Sequence, residues 1–179
     1  MKLLTTHLKE GENRFEFENP KDSWVSTLVQ KVTDEGNILH SPLHLQLSLT
    51  KLDPDYYLRG KIQFKISQLC ARCAESFTQP IEHSFGVALA HVSNHRVAEA
   101  PVSEEESENL DINFFEGNEI ELSSIVEEQF YLSLPFQSIC AESCKGMCQF
   151  CGKNLNLSDC GCSKTLNPSS FSVLENFRP

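Results

Sequence analysis

No apolar run in this chain approaches the roughly 20 residues that a helix needs to cross a bilayer. The N-terminus, MKLLTTHLKE, has only Leu3-Leu4 before polar residues return, short of the apolar stretch of about 7–15 residues in a secretory signal. Both absences predict a cytoplasmic chain with reduced thiols. Lys and Arg are missing altogether between Val97 and Cys144, where twelve Asp or Glu occur. The remainder holds all 15 basic residues against 13 acidic ones, so the net charge of −10 describes one acidic segment on a nearly neutral body. Clustered cations of the kind that bind polyanions are therefore scarce. The six histidines, His7, His40, His44, His83, His91 and His95, form no HExxH or HxE…CxxC arrangement. A Gly-rich phosphate loop and a GxSxG motif are absent too, which removes the usual signals of zinc hydrolases, deaminases, nucleotide hydrolases and serine esterases.

Cysteine is what the chain has in quantity. Cys70-Ala71-Arg72-Cys73 stands near the middle, and Cys140, Cys144, Cys148, Cys151, Cys160 and Cys162 crowd the C-terminal quarter. Two residues between cysteines let both thiolates reach one ion at Zn–S distances of about 2.3 Å, and a structural zinc takes four such ligands in a tetrahedron. Eight cysteines suit two zinc ions. A disulfide framework is the competing reading, and a reducing compartment favours metal over it. Redox use of Cys70 and Cys73 is a further alternative, because Arg72 would favour a thiolate; the pair follows a strand but opens no helix. A catalytic zinc keeps an open position and commonly includes His or carboxylate ligands, whereas thiolates alone close the shell. The pattern predicts structural metal and no enzymatic activity.

At 179 residues the chain accommodates one ordinary core with a small metal-stapled appendage. Asn19-Pro20-Lys21-Asp22-Ser23 reads as a helix start, with Asp22 or Ser23 as cap, followed by Trp24, Leu28, Val29 and Val32 at helical spacing. Leu43, Leu45, Leu47 and Leu49 then alternate with polar residues, placing every leucine on one face of a strand. After a turn at Asp53-Pro54-Asp55, Tyr56, Leu58, Ile62, Phe64 and Ile66 face one way and Arg59, Lys61, Gln63, Lys65 and Ser67 the other. Cys70–Cys73 falls where the chain must reverse before a second alternating run, Phe77, Ile81, Phe85, Val87 and Leu89. A hairpin tip carrying a metal knuckle fits this order. Between His95 and Asn118 periodicity fails, and the stretch around Glu104, Glu105, Glu106 and Glu108 reads as an acidic loop near 98–118. Ser124 and Glu127 have capping-box spacing for a helix that Pro135 stops. The expected fold class is α+β, a mostly antiparallel sheet with two or three short helices and a cysteine-rich zinc ribbon. Residues 1–144 would form the sheet-based core domain, and 145–179 the ribbon with a tail, Asn167-Pro168 to Phe177, packed back on it.

Cys70-x-Arg72-Cys73, the acidic segment, the helix end Leu132-Ser133-Leu134-Pro135, and Cys140-x3-Cys144-Lys145-Gly146-Met147-Cys148-x2-Cys151-Gly152-x-Asn154-Leu155-Asn156…Cys160-x-Cys162 together resemble the YceD-like family, the large ribosomal RNA subunit accumulation proteins. The resemblance spans nearly the whole chain. Met147 stands where the family usually has Leu and Gln149 where it often has Pro; neither is a ligand. The resemblance implies a non-enzymatic ribosome-biogenesis factor that supports accumulation of large-subunit ribosomal RNA. Family members shortened at the C-terminus imply a division of ligands into Cys70, Cys73, Cys140 and Cys144 in one site and Cys148, Cys151, Cys160 and Cys162 in the other. The close pairing of the last four favours the same division.

An acidic face complements a basic ribosomal protein, or a pre-ribosomal large-subunit particle, better than it complements RNA. The expected mode is an adaptor or assembly factor that engages its partner through Glu104, Glu105, Glu106 and Glu108. The alternative is a zinc-ribbon RNA-binding protein using Arg59, Lys61, Lys65, Arg72, Lys145 and Lys153, with Lys164 beside them. A thiol redox protein is the third reading.

Overall fold

A computed structural model describes residues 1–34, 38–92 and 111–162. The tail and the four glutamates 104, 105, 106 and 108 lie outside the described residues, as does Lys164. Strand β1 (Lys2–Leu4) leads through a short 3-10 turn to β2 (Glu12–Glu18), helix α1 (Ser23–Asp34), β3 (Ile38–Leu39), β4 (His44–Leu52), β5 (Asp55–Leu69), β6 (Ser76–His91), β7 (Asp111–Phe115), β8 (Glu119–Glu121) and helix α2 (Leu122–Ser133). The main sheet runs β2-β4-β5-β6-β7, with β3 pairing the far end of β5 beyond the reach of β4. Every pairing is antiparallel except β6 with β7. Strands β1 and β8 form a separate ribbon.

Period-two patterning decides which face is dry. Leu43, Leu45, Leu47 and Leu49 are all buried, as are Leu58, Ile62, Phe64 and Ile66 on β5 and Val87 and Leu89 on β6. Each such side chain contributes on the order of 2 kcal/mol when removed from water, enough for a few of them to outweigh a domain's whole net stability. Helices α1 and α2 cover this face. Val25, Leu28 and Val32 are the buried positions of α1, while α2 buries Leu122, Ile125, Val126 and Phe130. Phe130 stacks on Phe64 at 4.8 Å between ring centroids, and Trp24 meets Phe17 edge-on at 5.0 Å. An ion pair between Lys31 and Glu127 ties the two helices at the surface.

The α+β, mostly antiparallel architecture is the one expected, with local differences. Glu12-Asn13-Arg14-Phe15-Glu16-Phe17-Glu18 forms an edge strand against β4, its phenylalanines reaching the core. The acidic stretch expected to stay irregular to residue 118 gives way at Asp111 to β7. Its alternation is disguised because Ile112 and Phe114 point outward, exposed, while Phe115 is buried. The helix after it begins two residues ahead of the expected cap: Ser124 lies inside α2 and its hydroxyl donates to the Glu121 carbonyl, so the capping box does not form. The Asp22 carboxylate likewise accepts from the Glu18 amide, stapling β2 to α1.

Glycine is required at one place on each face of the long hairpin. Gly60 pairs directly with Phe85, and a Cβ there would lie 2.0 Å from the ring's Cζ. On the opposite face a Cβ on Gly86 would lie 2.3 Å from the Tyr57 hydroxyl oxygen, and the Arg59 guanidinium sits 4.9 Å over the Tyr57 ring. Gly60→Ala is expected to destabilise the chain by about 1–3 kcal/mol, because the Phe85 ring must leave its well. Combining it with Phe85→Leu should cost clearly less than the sum of the two single changes. Chemical denaturation of the four proteins measures this; strict additivity would show that Phe85 does not occupy the space above Gly60.

Candidate metal centres

The β5–β6 hairpin carries its turn well beyond the helices, and Cys70–Glu75 builds that turn. The Cys70 amide donates to the Glu75 carbonyl at 2.9 Å, and the Ala74 amide to the Cys70 carbonyl at 2.9 Å. Ala74 adopts a positive φ of 58°, the left-handed bend that swings Cys73 back beside Cys70. The chain returning from α2 is laid against this tip: the Ala71 amide donates to the Ser138 carbonyl at 2.8 Å, and the Ser138 hydroxyl bonds Gln68. This contact delivers Cys140 and Cys144 to the same spot. Phe77 and Ile139 pack around Cys70, Cys73 and Cys144, which are buried.

The sulfurs of Cys70, Cys73, Cys140 and Cys144 all lie within 4.8 Å of one another. Cys70 Sγ is 3.9 Å from Cys144 Sγ, and Cys73 Sγ is 3.8 Å from Cys140 Sγ. A disulfide requires about 2.05 Å, whereas the edge of a tetrahedron built on metal–sulfur bonds of about 2.3 Å is about 3.8 Å. The spacing is that of ligands around an ion. A second group, Cys148, Cys151, Cys160 and Cys162, meets the same 4.8 Å limit and is more open, with Cys151 exposed. Its frame is a small turn in which the Cys148 amide donates to the Lys153 carbonyl at 2.8 Å and the Gly152 amide to the Cys148 carbonyl at 2.9 Å. Gly152 and Gly161 directly follow Cys151 and Cys160 with φ of 71° and 69°.

Backbone amides and neighbouring sulfurs set the thiol acidities in both groups. The Cys140 amide, 3.4 Å from Cys70 Sγ, holds the Cys70 thiol down to about 6, assisted by the amides of Cys73 and Arg72. The Cys70 sulfur, with those of Cys144 and Cys73, pushes Cys140 up to about 12. Amides of Cys151 and Phe150 bring Cys148 down to about 6, and the sulfurs of Cys151 and Cys160 push Cys162 up to about 12. Backbone donors thus stabilise the first thiolate in each group, while its charge resists ionisation of the last. A divalent cation at the centre removes that resistance. The donor set of four sulfurs suits zinc and leaves no open coordination position.

The structure brings the eight cysteines together in two fours and does not gather the six cations. Lys61 pairs with Glu82 at 2.5 Å, and Arg59 is engaged with Tyr57. Lys65 lies further along β5. Arg72 turns inward, its Nη1 donating to the carbonyls of Glu142 at 3.2 Å and Cys144 at 3.3 Å. Lys145 and Lys153 belong to the cysteine end, where the Lys153 ammonium lies 3.5 Å from the Asp159 carbonyl. From Arg59 to Leu69 alone the strand covers roughly 30 Å, so the strand and knuckle cations form separate groups. Asn154 and Asn156 were not singled out from the sequence, although they alternate with Leu155 inside the cysteine motif. Asn156 Nδ2 donates to Cys144 Sγ at 3.3 Å, which lowers that thiol's pKa.

The family model described as large ribosomal RNA subunit accumulation protein YceD matches residues 58–178, well over half of the chain. Two curated relatives are similar. A chloroplastic large ribosomal RNA subunit accumulation protein YCED homolog 1 of Arabidopsis thaliana is 25% identical over 167 residues, covering 77% of this chain and 49% of its own. The protein of the same description from Zea mays is 26% identical over 159 residues, covering 75% and 53%. The chain spans about half the length of these curated relatives. No solved structure matches it significantly. Among the described residues no helix is long and apolar enough to cross a membrane.

Elemental analysis of the purified protein is expected to give two zinc ions per chain, with X-ray absorption showing four sulfurs at about 2.3 Å. A value near one would mean that one group of cysteines does not bind. Because thiolate-bound zinc contributes on the order of 10 kcal/mol to the structure it organises, Cys70→Ser should lower the main thermal transition, whereas Cys148→Ser should remove zinc with a much smaller change in that transition. Equal damage to the core from both changes would refute the assignment of the first group to the hairpin and the second to a local ribbon.

Proposed function

The chain belongs to the YceD family of large ribosomal RNA subunit accumulation proteins, and from that premise we propose that it is a non-enzymatic adaptor or assembly factor in large-subunit biogenesis, with two structural zinc ions. The observation that carries this reading is the pair of all-sulfur groups. One joins the tip of the β5–β6 hairpin to a segment some seventy residues later, and four sulfurs in each would fill a tetrahedral shell. Such a site organises a surface and does not activate water. The redox reading is disfavoured because Cys70 and Cys73 share their site with the sulfurs of Cys140 and Cys144, all within 4.8 Å, where a dithiol enzyme presents two sulfurs alone.

The partner is a basic ribosomal protein, alone or within a pre-ribosomal particle, and it meets the acidic half of the chain. Asp111, Glu116, Glu121, Glu128 and Glu142 extend the acidic run from Glu104, Glu105, Glu106 and Glu108, with no Lys or Arg among them in sequence, while Glu119 and Glu127 are paired with Lys2 and Lys31. Three of the six cations of the alternative RNA-binding reading are already engaged: Lys61 by a carboxylate, Arg59 by an aromatic ring and Arg72 by two carbonyls. A cytoplasmic site of action belongs to this proposal; the curated relatives are described as chloroplastic.

Reversing Glu104, Glu105, Glu106 and Glu108 to Lys is expected to leave zinc content and melting unchanged. Association with ribosomal large-subunit components should weaken about tenfold or more near 0.1 M salt, where the screening length is about 10 Å, with the difference shrinking as salt rises. Reversing Lys61, Lys65 and Lys153 to Glu should do less. Sedimentation with pre-ribosomal particles reads both. If the lysine reversals abolish association and the glutamate reversals do not, the RNA-binding alternative replaces this one.

A further inference from the structure

The cysteine end contains a chain of side-chain hydrogen bonds whose polarity is forced. The Lys145 backbone N–H can only donate, so the Asn156 atom that receives it at 2.8 Å is Oδ1. The Asn156 NH2 group is thereby aimed at Cys144 Sγ, 3.3 Å away, and at Asn154 Oδ1, 2.9 Å away. Asn154 is oriented the same way: its Oδ1 accepts from the Asn156 backbone N–H at 2.9 Å, leaving its Nδ2 to donate to Glu75 Oε1 at 3.2 Å. Two amides from between Cys151 and Cys160, within the second group's segment, therefore grip the first group, one at a ligand sulfur and one beside Cys73.

Few apolar contacts hold that segment. Leu157 is 78%, Phe150 55% and Met147 44% exposed, and Leu155 is half-buried. Besides the bonds at Cys148, the backbone supplies the Met147 amide to the Arg72 carbonyl at 2.9 Å and the Leu155 amide to the Gly146 carbonyl at 2.9 Å. Gly146 permits the approach: φ is 76°, and a Cβ would lie 3.1 Å from the Arg72 carbonyl oxygen. An antiparallel bridge between Met147 and Asn154 and the Leu157 amide on the Asn154 carbonyl at 3.3 Å complete this small frame, and the sulfurs of Cys148, Cys151, Cys160 and Cys162 gather on either side of it.

We infer that the second cysteine group is a latch on the first: when it holds zinc it fixes Asn156 as a positioning residue for the Cys144 thiolate, and the first zinc is retained firmly only while the second is in place. The inference rests on the two-zinc reading above. A donor to a ligating sulfur withdraws part of its charge and fixes its direction, and loss of such outer contacts typically costs about 10–100-fold in metal affinity.

Zinc release from the full-length, two-zinc protein to a chromogenic chelator tests this, with the first-site phase identified as the one lost in Cys140→Ser/Cys144→Ser. Asn156→Asp keeps the acceptor for Lys145 and deletes the donor to sulfur; Asn156→Ala deletes both. Both are expected to release the first-site zinc at least about tenfold faster while still binding two zinc ions. The Cys160→Ser/Cys162→Ser protein should release it comparably fast, and adding Asn156→Ala to it should change the rate by less than about threefold, since the latch is already open. In the cobalt(II) form, Asn156→Ala should move the sulfur-to-metal absorption to longer wavelength, a signature that a purely structural role would not produce. Native release rates in both Asn156 variants, or effects of Asn156→Ala and the double serine change that simply multiply, would overturn the latch while leaving two zinc ions in place. A chain that binds no zinc would overturn the latch and the two-zinc reading together.

Discussion

Four thiolates within 5 Å of one another repel too strongly to coexist without a cation between them, and the cysteine end of this protein is built around that constraint. Backbone amides at Cys70 and Cys148 lower the cost of the first negative charge in each group, but no protein donor offsets the fourth, as the upward displacement of Cys140 and Cys162 shows. A metal ion at the centre of each group would offset those charges. Were one bound, the free energy of ion binding and the free energy of ordering the cysteine segment would be one quantity there, as in other small metal-organised segments.

The sheet and helices do not share that dependence. Among the described residues Asp55 and Gln129 are the buried polar ones, and the core's cohesion comes from leucines and aromatics on one face of neighbouring strands. The β5–β6 hairpin couples the two regimes. Its proximal half is buried under α1 and α2, and its distal half carries Cys70 and Cys73 at the turn. Because the same two strands serve both ends, anything that twists the hairpin is felt at the sulfurs.

The long alternating strands were legible from sequence because one face is dry: every leucine from Leu43 to Leu49 is buried, and the alternation holds in β5 from Arg59 to Ile66, although Asp55 and Tyr57 on the other face are buried as well. The cysteine groups were legible because CxxC spacing is itself a geometric constraint. Strand β7 was hidden since its apolar residues Ile112 and Phe114 face outward, breaking the link between hydrophobicity and burial on which periodicity depends. The expected cap at Ser124 failed for a related reason: β8 runs straight into α2, so Glu121 ends a strand and Ser124 is already helical. Asn156 could not be weighed from composition, since an asparagine's role depends on which donor meets its oxygen, and that is set by Lys145 eleven residues earlier.

The distribution of charge follows from the same economy. Arg72 sits in a knuckle, where an outward guanidinium would make a ready phosphate contact, yet it is spent on the carbonyls of Glu142 and Cys144, closing the carboxyl side of the first group. Lys61 is engaged by Glu82 on the wet face of the sheet, and Lys31 by Glu127 between the helices. Cations are thus consumed in holding the molecule together, while the acidic residues from Glu99 to Glu142 are drawn from a stretch with no cation of its own. The residual field of the chain is therefore negative by placement as well as by sum. A field of that sign raises the encounter rate with basic protein surfaces and lowers it with nucleic acid, which is why a protein-facing role in assembling an RNA-rich particle fits this molecule better than direct capture of the RNA.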